Sequence, residues 1–254
     1  TMLAIFSAPE AAGNTVGELT ARQILPVALE MFDGPMIRMV EEATHAGYPP
    51  DAGAVLLIEM EGLRETVEWQ VGLVAEVCRS CGATEVRVAK TPEERDLLWK
   101  GRKNAFGAVG RISPNYYVQD GVVPRTKIAQ TLRAITEISK KHGLIISNIF
   151  HAGDGNLHPI ILFDARKAGE LERARRCGDE ILEYCISVGG SITGEHGVGM
   201  EKMELMPHLF PEETLDAIKK FKSLFDPQCR LNPGKVLPTG KGCMEIHQPP
   251  AMVL

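Results

Sequence analysis

Apolar positions in the first third of the chain fall into short runs that alternate with amphipathic stretches. Runs with the length of strands cover residues 2–7, 26–32, 54–61 and 84–89, and stretches with helical spacing cover residues 9–24, 35–46 and 64–81. The pattern therefore predicts strands and helices in alternation. Taken alone, that alternation favours a parallel sheet with helices packed on it.

Helices and strands are also predicted in the remainder of the chain. Thr91, Pro92 and Glu94 form a helix start, because threonine caps, proline suits the first turn and glutamate completes a capping box. Further helices are predicted at residues 124–142, 167–188 and 211–225, and further strands at 116–119, 144–150 and 160–163. Gly143 ends the first of these helices, and a glycine-bearing connection is expected at residues 107–114.

Composition narrows the class of protein. The chain has 254 residues, a formal net charge of −5, 44% hydrophobic and 24% charged residues, which is typical of a globular domain. The absence of a basic run argues against nucleic-acid binding. No apolar stretch approaches the roughly 20 residues that span a bilayer, and no secretory signal is evident. Six scattered cysteines favour a reducing cytoplasm. The apolar start suggests a piece of a longer protein.

Glycine-rich nucleotide loops are missing from the sequence. No G-x-G-x-x-G follows a predicted strand, and no G-x-x-x-x-G-K-[ST] occurs. A nucleotide cofactor would therefore need its phosphates held outside this chain.

The segment from His151 to His158 carries the strongest chemical signal. Asp154-Gly155 is a two-residue hairpin signal, and a hairpin centred there would place the two histidines opposite each other. Cβ atoms of opposed residues lie about 5 Å apart, which lets two imidazoles share one metal ion. The alternative is a pair of polar residues at a strand end.

Glu195 makes the metal alternative stronger. Two histidines and a carboxylate with open positions are a common donor set for a catalytic divalent ion. In an extended segment His196 would face away from Glu195, which suits a base better than a fourth ligand. Arg102 offers a bidentate partner for a carboxylate, although its basic neighbours also fit a solvated helix face.

Four motifs together resemble one family. They are Trp99 to Phe106 (WKGRKNAF), His151 to His158 (HAGDGNLH), Gly194 to Gly199 (GEHGVG) and Leu231 to Lys235 (LNPGK). The chain resembles the C-terminal part of the FAD-linked 2-hydroxy-acid oxidases, which are flavoproteins of the vanillyl-alcohol-oxidase type.

The resemblance implies an α+β fold instead of a parallel sheet. It implies a cap domain related to ferredoxin-like folds, with a largely antiparallel sheet and flanking helices, over residues 1–240. Residues 241–254 are then expected to be a loose tail. The FAD-binding domain of the family lies N-terminal to this region and is absent from this chain.

The resemblance also implies roles for individual residues. His151, His158 and Glu195 would hold a divalent metal, usually zinc, and His196 would be the catalytic base. The remaining positions implied by the family are two substrate-binding residues, Arg102 and Asn156, and one residue on the FAD side, Asn232.

The activity implied is oxidation of a 2-hydroxy acid to a 2-oxo acid, with hydride transfer to FAD. Relatives specific for D-2-hydroxyglutarate hold a second carboxylate with a lysine and a threonine near the positions of Val118 and Phe106, which are apolar here. A glycolate- or D-lactate-type substrate therefore fits better. The fragment alone is expected to be inactive without the flavin domain.

Three alternative functions remain open. They are a D-2-hydroxyglutarate-type dehydrogenase, a non-catalytic module that holds a metal or docks subunits, and a metal-dependent hydrolase or lyase. The resemblance also implies partners, namely the FAD domain, a sister flavin-domain subunit and an iron–sulfur subunit. The expected location is the cytoplasm, or the inner-membrane periphery through those partner subunits.

Overall fold

One antiparallel sheet forms the centre of the protein. The computed structural model describes residues 1–238. The strands of this part are β1 (Met2–Phe6), β2 (Ala28–Asp33), β3 (Ala54–Glu59), β4 (Ala83–Val88), β5 (Asn115–Val118), β6 (Gly121–Val122), β7 (Ile146–His151) and β8 (Asn156–Phe163). Their order is β4-β1-β3-β2-β7-β8-β5, and β6 also pairs with β8. Every pairing is antiparallel, so the parallel-sheet expectation is wrong and the α+β prediction is confirmed.

Helices flank the sheet on both faces. They are α1 (Pro9–Ala21), α2 (Gly34–Thr44), α3 (Arg64–Ser80), α4 (Pro92–Lys103), α5 (Ala105–Val109), α6 (Ile128–His142), α7 (Glu170–Ser187), α8 (Met206–Leu209) and α9 (Glu212–Phe225). The predicted cap of α4 is present, because the Thr91 hydroxyl accepts from the Glu94 N–H. The sequence pattern missed β6 and α8, and α5 replaces part of the connection predicted at residues 107–114.

The first four strands follow ferredoxin-like topology. Helix α1 connects β1 to β2, and α3 connects β3 to β4, with one strand of the other pair lying inside each connection. Two interleaved split βαβ units of this kind give the order β4-β1-β3-β2. The predicted relation to ferredoxin-like folds is therefore borne out, with α2 as an insertion between β2 and β3.

The second half repeats the same topology in reduced form. Helix α6 connects β6 to β7, and β8 lies between these two strands in the sheet. After α7 the chain returns at Ser191 to a single bridge with Val122 of β6. The strand order β7-β8-β5 plus this bridge mirrors the first unit. The two units meet edge to edge where β2 pairs with β7, although the sequence shows no repeat.

Apolar side chains are buried on both faces of the sheet. Alternate residues of the strands, such as Met2, Met31 and Phe150, pack under α1, α3, α6 and α7. Residues in between, such as Leu3 and Phe32, pack under α2, α5 and part of α4. The central strands therefore carry apolar residues on both faces, a pattern that is more typical of parallel sheets and that explains the wrong expectation.

No helix within residues 1–238 combines the length and apolarity needed to cross a membrane. The tail predicted at residues 241–254 lies outside the described residues.

The turn between β7 and β8 yields a stability prediction. Gly155 has φ 72°, and a Cβ there would lie 2.2 Å from the Val123 carbonyl oxygen. Gly143 has φ 62° but faces open space. Gly155→Ala should lower the free energy of unfolding by about 2–5 kcal/mol, from left-handed strain and overpacking. Gly143→Ala should cost only about 1–2 kcal/mol. Urea unfolding of both variants tests this, and equal losses would contradict it.

Candidate metal and anion site

The two turn histidines lie close together, but not in the register expected from the sequence. His151 pairs with Asn156, and His158 pairs with Ile149. Direct opposition of the histidines is therefore wrong. The register differs by two residues, so both side chains still point to the same face of the sheet. They are diagonal neighbours, with ring centroids 5.3 Å apart in an edge-to-face arrangement.

The register differs because the turn is longer than two residues. Successive hydrogen bonds run from the Asp154 N–H to the carbonyl of His151 and from the Gly155 N–H to the carbonyl of Ala152. A two-residue type I′ turn needs positive φ at both central positions. Of Asp154 and Gly155, only the glycine has it. Four residues, 152–155, therefore connect the strands.

Both imidazoles direct Nε2 toward Glu195. Nδ1 of His151 lies 2.9 Å from Glu30 Oε1, and Nδ1 of His158 lies 3.2 Å from the Gln119 carbonyl oxygen. These acceptors assign the ring proton to Nδ1 in each neutral imidazole. Glu195 Oε1 lies 3.7 Å from His151 Nε2 and 3.1 Å from His158 Nε2. Two nitrogen lone pairs and a carboxylate oxygen thus face one another.

This donor set fits a divalent cation. Its ligand atoms all lie within 4.8 Å of one another, and a tetrahedral zinc site with bonds of about 2.0–2.1 Å has ligand atoms roughly 3.3 Å apart. Burial lowers the pKa of His158, which favours the neutral, ligating form. The hydrogen bond to Glu30 raises the pKa of His151 in the absence of an ion. Glu195, with 53% of its side chain exposed, leaves an approach from solvent.

A buried carboxylate, Asp120, shapes the loop that presents Glu195. It accepts hydrogen bonds from the Thr193 hydroxyl and from the backbone N–H groups of the next three residues. The buried Lys202 ammonium lies 3.3 Å away. Burial opposes ionisation, but these hydrogen bonds and the lysine charge lower the pKa of Asp120 to about 2. Although Asp120 also lies near His158 and His196, its oxygens are committed to these donors, so we do not assign it as a metal ligand.

The loop around Asp120 corrects the expected direction of His196. The segment curls instead of extending, so Glu195 and His196 both face His158. The His196 ring stacks on that of His158 with centroids 5.1 Å apart and planes 12° apart. Its Nε2 lies 3.8 Å from Glu195 Oε1, and 46% of its side chain is exposed. The expectation that it faces away is wrong, while its role as base stays a prediction.

Arg102 joins the cluster from the end of α4. Its Nε donates to Glu30 Oε2 at 2.8 Å, and its Nη2 lies 3.3 Å from His151 Nε2. Only 14% of the side chain is exposed, so the solvated-face alternative does not hold for this residue.

Helix α4 is fixed to the domain close to Arg102. The Tyr48 hydroxyl donates to the Leu98 carbonyl, and a Cβ on Gly101 would lie 2.7 Å from the Tyr48 ring. Trp99 packs partly against the core, and its indole N–H donates to Glu59. The guanidinium is thereby positioned by the packing of its own helix.

The two predicted asparagines differ in placement. Asn156 is buried, and its Oδ1 has no hydrogen-bond partner among the described residues. It contacts the glycine that precedes Glu195, where a Cβ would lie 2.6 Å from its Nδ2. Within residues 1–238, Asn232 shares no hydrogen bond or ion pair with the cluster, and its Oδ1 accepts from Lys235. Its segment is tied back by a hydrogen bond from the Val236 N–H to the Gly199 carbonyl.

Sequence reasoning missed the residues that support the ligands. Glu30 and Asp120 carry the supporting carboxylates, and Lys202 balances the second of them. The available signal was a lone charge inside an apolar run, since Glu30 stands between Leu29 and Met31. A charge that is buried needs partners, but the sequence did not indicate which ones.

Solved structures share the fold. The 4-ethylphenol oxidase of Gulosibacter chungangensis superposes on 94% of this chain and 54% of its own, with a TM-score of 0.66 and 16% identity. p-Cresol methylhydroxylase covers 92% of this chain and 52% of its own, with a TM-score of 0.67 and 15% identity. At this identity the likeness establishes the architecture alone, which is that of these oxidases.

Sequence comparison establishes the family. The model described as FAD linked oxidases, C-terminal domain, matches residues 1–236. The chain belongs to this family of C-terminal domains of FAD-linked oxidases.

Curated relatives include glycolate oxidase subunits and a lactate dehydrogenase. Glycolate oxidase subunit GlcD of Escherichia coli (strain K12) is 47% identical over 96% of this chain and 49% of the relative. The subunit of the same name in Bacillus subtilis is 40% identical over 93% and 50%. D-lactate dehydrogenase of Archaeoglobus fulgidus is 34% identical over 93% and 51%. The chain spans about half the length of the curated relatives it matches.

The buried pair beneath the loop yields a prediction. Asp120→Asn leaves the Lys202 ammonium without its counter-charge, and breaking a buried pair costs roughly 3–5 kcal/mol of unfolding free energy. The double variant Asp120→Asn/Lys202→Met should recover part of this loss. Chemical unfolding measures both variants. Wild-type stability in the single variant would contradict the proposed support of the loop.

Proposed function

We propose that this chain is the substrate- and metal-binding part of an FAD-dependent 2-hydroxy-acid oxidoreductase acting on glycolate or D-lactate. The observation that carries the proposal is the junction of an anion-binding group with a metal donor set, since Arg102 Nη2 lies 3.3 Å from His151 Nε2. A 2-hydroxy acid presents a carboxylate and a hydroxyl on neighbouring carbons, which matches that junction. The names of the relatives support the same substrate class.

A divalent ion, zinc in our proposal, is assigned to His151, His158 and Glu195. When bound, such an ion polarises the substrate hydroxyl and lowers its pKa. Nitrogen and oxygen donors of this kind suit zinc. The exposed side of Glu195 supports an open, catalytic type of site.

Residues of this chain bind the substrate carboxylate, orient the substrate and accept its hydroxyl proton. The Arg102 Nη groups bind the substrate carboxylate, because Nε is already used by Glu30. Asn156 lies beside His151 in the strand register and orients the substrate through its unpartnered Oδ1. His196 accepts the hydroxyl proton at Nε2, which faces Glu195.

FAD supplies the hydride acceptor in this proposal, as the family description implies. The described residues fit the substrate side and not the nucleotide side, because the sequence has no glycine-rich phosphate loop. We therefore assign FAD mainly to a domain beyond this chain. Contact of Asn232 with the flavin remains a prediction of the resemblance.

The second candidate, a D-2-hydroxyglutarate-type enzyme, needs a partner for a second carboxylate. Val118 packs against the core, Phe106 is apolar, and Lys202 is paired with Asp120. These contacts favour the shorter acids. A non-catalytic metal module would be expected to have four protein ligands, whereas three converge here within residues 1–238. The third alternative, a metal-dependent hydrolase or lyase, would be favoured by hydrolytic or lyase turnover of this chain alone.

Partners and location complete the proposal. The name of the Escherichia coli relative describes a subunit, which supports assembly of this chain with other chains. We propose that these partners are a sister flavin subunit and an iron–sulfur subunit. The proposed location is cytoplasmic, with attachment to the inner membrane through those partners. Co-purification and cell fractionation test these points.

Substitution of a ligand tests the metal assignment. His151→Ala should remove the bound zinc, because it deletes one of three ligands. Elemental analysis of the purified protein measures the zinc content, and His208→Ala, on the exposed side of α8, is the control. Unchanged zinc in the His151 variant would exclude this residue as a ligand.

Substitution of the base tests the reaction. In the full-length enzyme with its flavin domain, His196→Asn should lower kcat for glycolate by roughly 10²–10⁴-fold, which is the usual contribution of general base catalysis. Zinc content should stay at the wild-type level because His196 is not assigned as a ligand. Near-normal turnover would remove His196 from the mechanism.

A further inference from the structure

We propose that Glu30 is a positioning residue that holds the anion-binding Arg102 and the metal ligand His151 in one hydrogen-bonded unit. We further infer that only a side chain with two acceptor oxygens performs this role. The inference rests on the proposed function and extends it to a residue outside the ligand set.

The position of Glu30 is unusual for a carboxylate. It lies within β2, directly opposite His151 of β7. Only 10% of its side chain is exposed. Burial of a charged group is costly unless the group is paired and hydrogen-bonded, so the partners of this carboxylate explain its presence.

Each oxygen of Glu30 serves a different donor. Oε1 accepts from His151 Nδ1 at 2.9 Å, and Oε2 accepts from Arg102 Nε at 2.8 Å. The two oxygens of one side chain therefore join the histidine to the arginine.

This arrangement determines which nitrogen of His151 faces the metal site. An arginine side chain only donates hydrogen bonds, so Arg102 Nη2, 3.3 Å from His151 Nε2, faces the lone pair that a metal ion would take when it binds. On the opposite side of the ring, Glu30 accepts a hydrogen bond from the Nδ1–H group. A carboxylate on the outer nitrogen of a metal-binding histidine fixes its tautomer and orientation.

The same contact restrains Arg102. Its Nε is held by Glu30, so the guanidinium is fixed at one edge while its Nη groups remain toward the cluster. Glu30 thereby sets the distance between the site for the substrate carboxylate and the site for the metal.

An amide cannot replace the carboxylate in this position. Glutamine offers one acceptor oxygen and one NH₂ group, whereas His151 Nδ1–H and Arg102 Nε–H are both donors. In either orientation one donor meets another donor. Aspartate keeps two acceptors on a stem that is shorter by one methylene, so it should serve in part.

Zinc binding to the full chain tests the inference, with a chromophoric chelator as competitor. Glu30→Gln should weaken zinc affinity roughly 10–100-fold, the usual effect of losing an outer partner of a ligand. Glu30→Asp should recover part of that loss. Glu180→Gln is the matched control, because Glu180 of α7 also accepts from a cation and a histidine, Lys141 and His142 at the end of α6. It should lower the melting temperature and leave zinc affinity unchanged.

A second readout reports on Arg102. In the full-length enzyme at saturating zinc, Glu30→Gln should raise KM for glycolate by a larger factor than it lowers kcat. A merely structural role of Glu30 would not produce that difference.

The possible results separate this inference from the proposed function. Wild-type zinc affinity in Glu30→Gln, with loss in His151→Ala, would overturn the role of Glu30 and leave the metal site standing. Equal zinc losses in Glu30→Gln and Glu180→Gln would also overturn it, as a general effect of destabilisation. A wild-type chain that binds no zinc would overturn the metal assignment itself and this inference with it.

Discussion

Pairing of β2 with β7 is the constraint on which the site depends. It joins two units of the same topology along one edge and sets Glu30 of the first unit opposite His151 of the second. Arg102, which we propose binds the substrate carboxylate, comes from the first half of the chain, and the proposed metal donors come from the second half. Neither half contains both groups. The chemistry we assign to this chain therefore depends on the junction of β2 with β7, and the strands of each unit place their own residues at that junction.

Three carboxylates, those of Glu30, Asp120 and Glu195, lie near this junction, and their hydrogen bonds determine their roles. Glu30 is saturated by a histidine and an arginine, and Asp120 by a hydroxyl, three backbone N–H groups and a lysine. Both are buried, where an unpaired charge would be very unfavourable. Glu195 is the one of the three that remains exposed and without such donors. This contrast explains why one carboxylate suits a cation while the other two act as supports.

The local features of the fold were predictable, and the long-range ones were not. Helix starts such as Thr91 and most helix and strand positions follow from spacing and capping. The antiparallel order did not follow, because strands buried on both faces lose the alternation that normally marks it. For the site, the histidine–glutamate set was visible in the motifs, but the hairpin register depended on backbone angles at Asp154. Glu30 could not be connected to His151 across 121 residues without the sheet.

That separation in sequence also bears on the order in which the protein folds. The β7–β8 hairpin closes over a four-residue turn, whereas the β2–β7 contact closes a loop of more than a hundred residues. Loop closure costs more entropy as the loop grows, so local pairings form sooner during folding. We therefore expect the two histidines proposed as metal ligands to meet in a nascent hairpin before the arginine reaches them. An ion captured at that stage would act as a template onto which the remainder of the domain assembles.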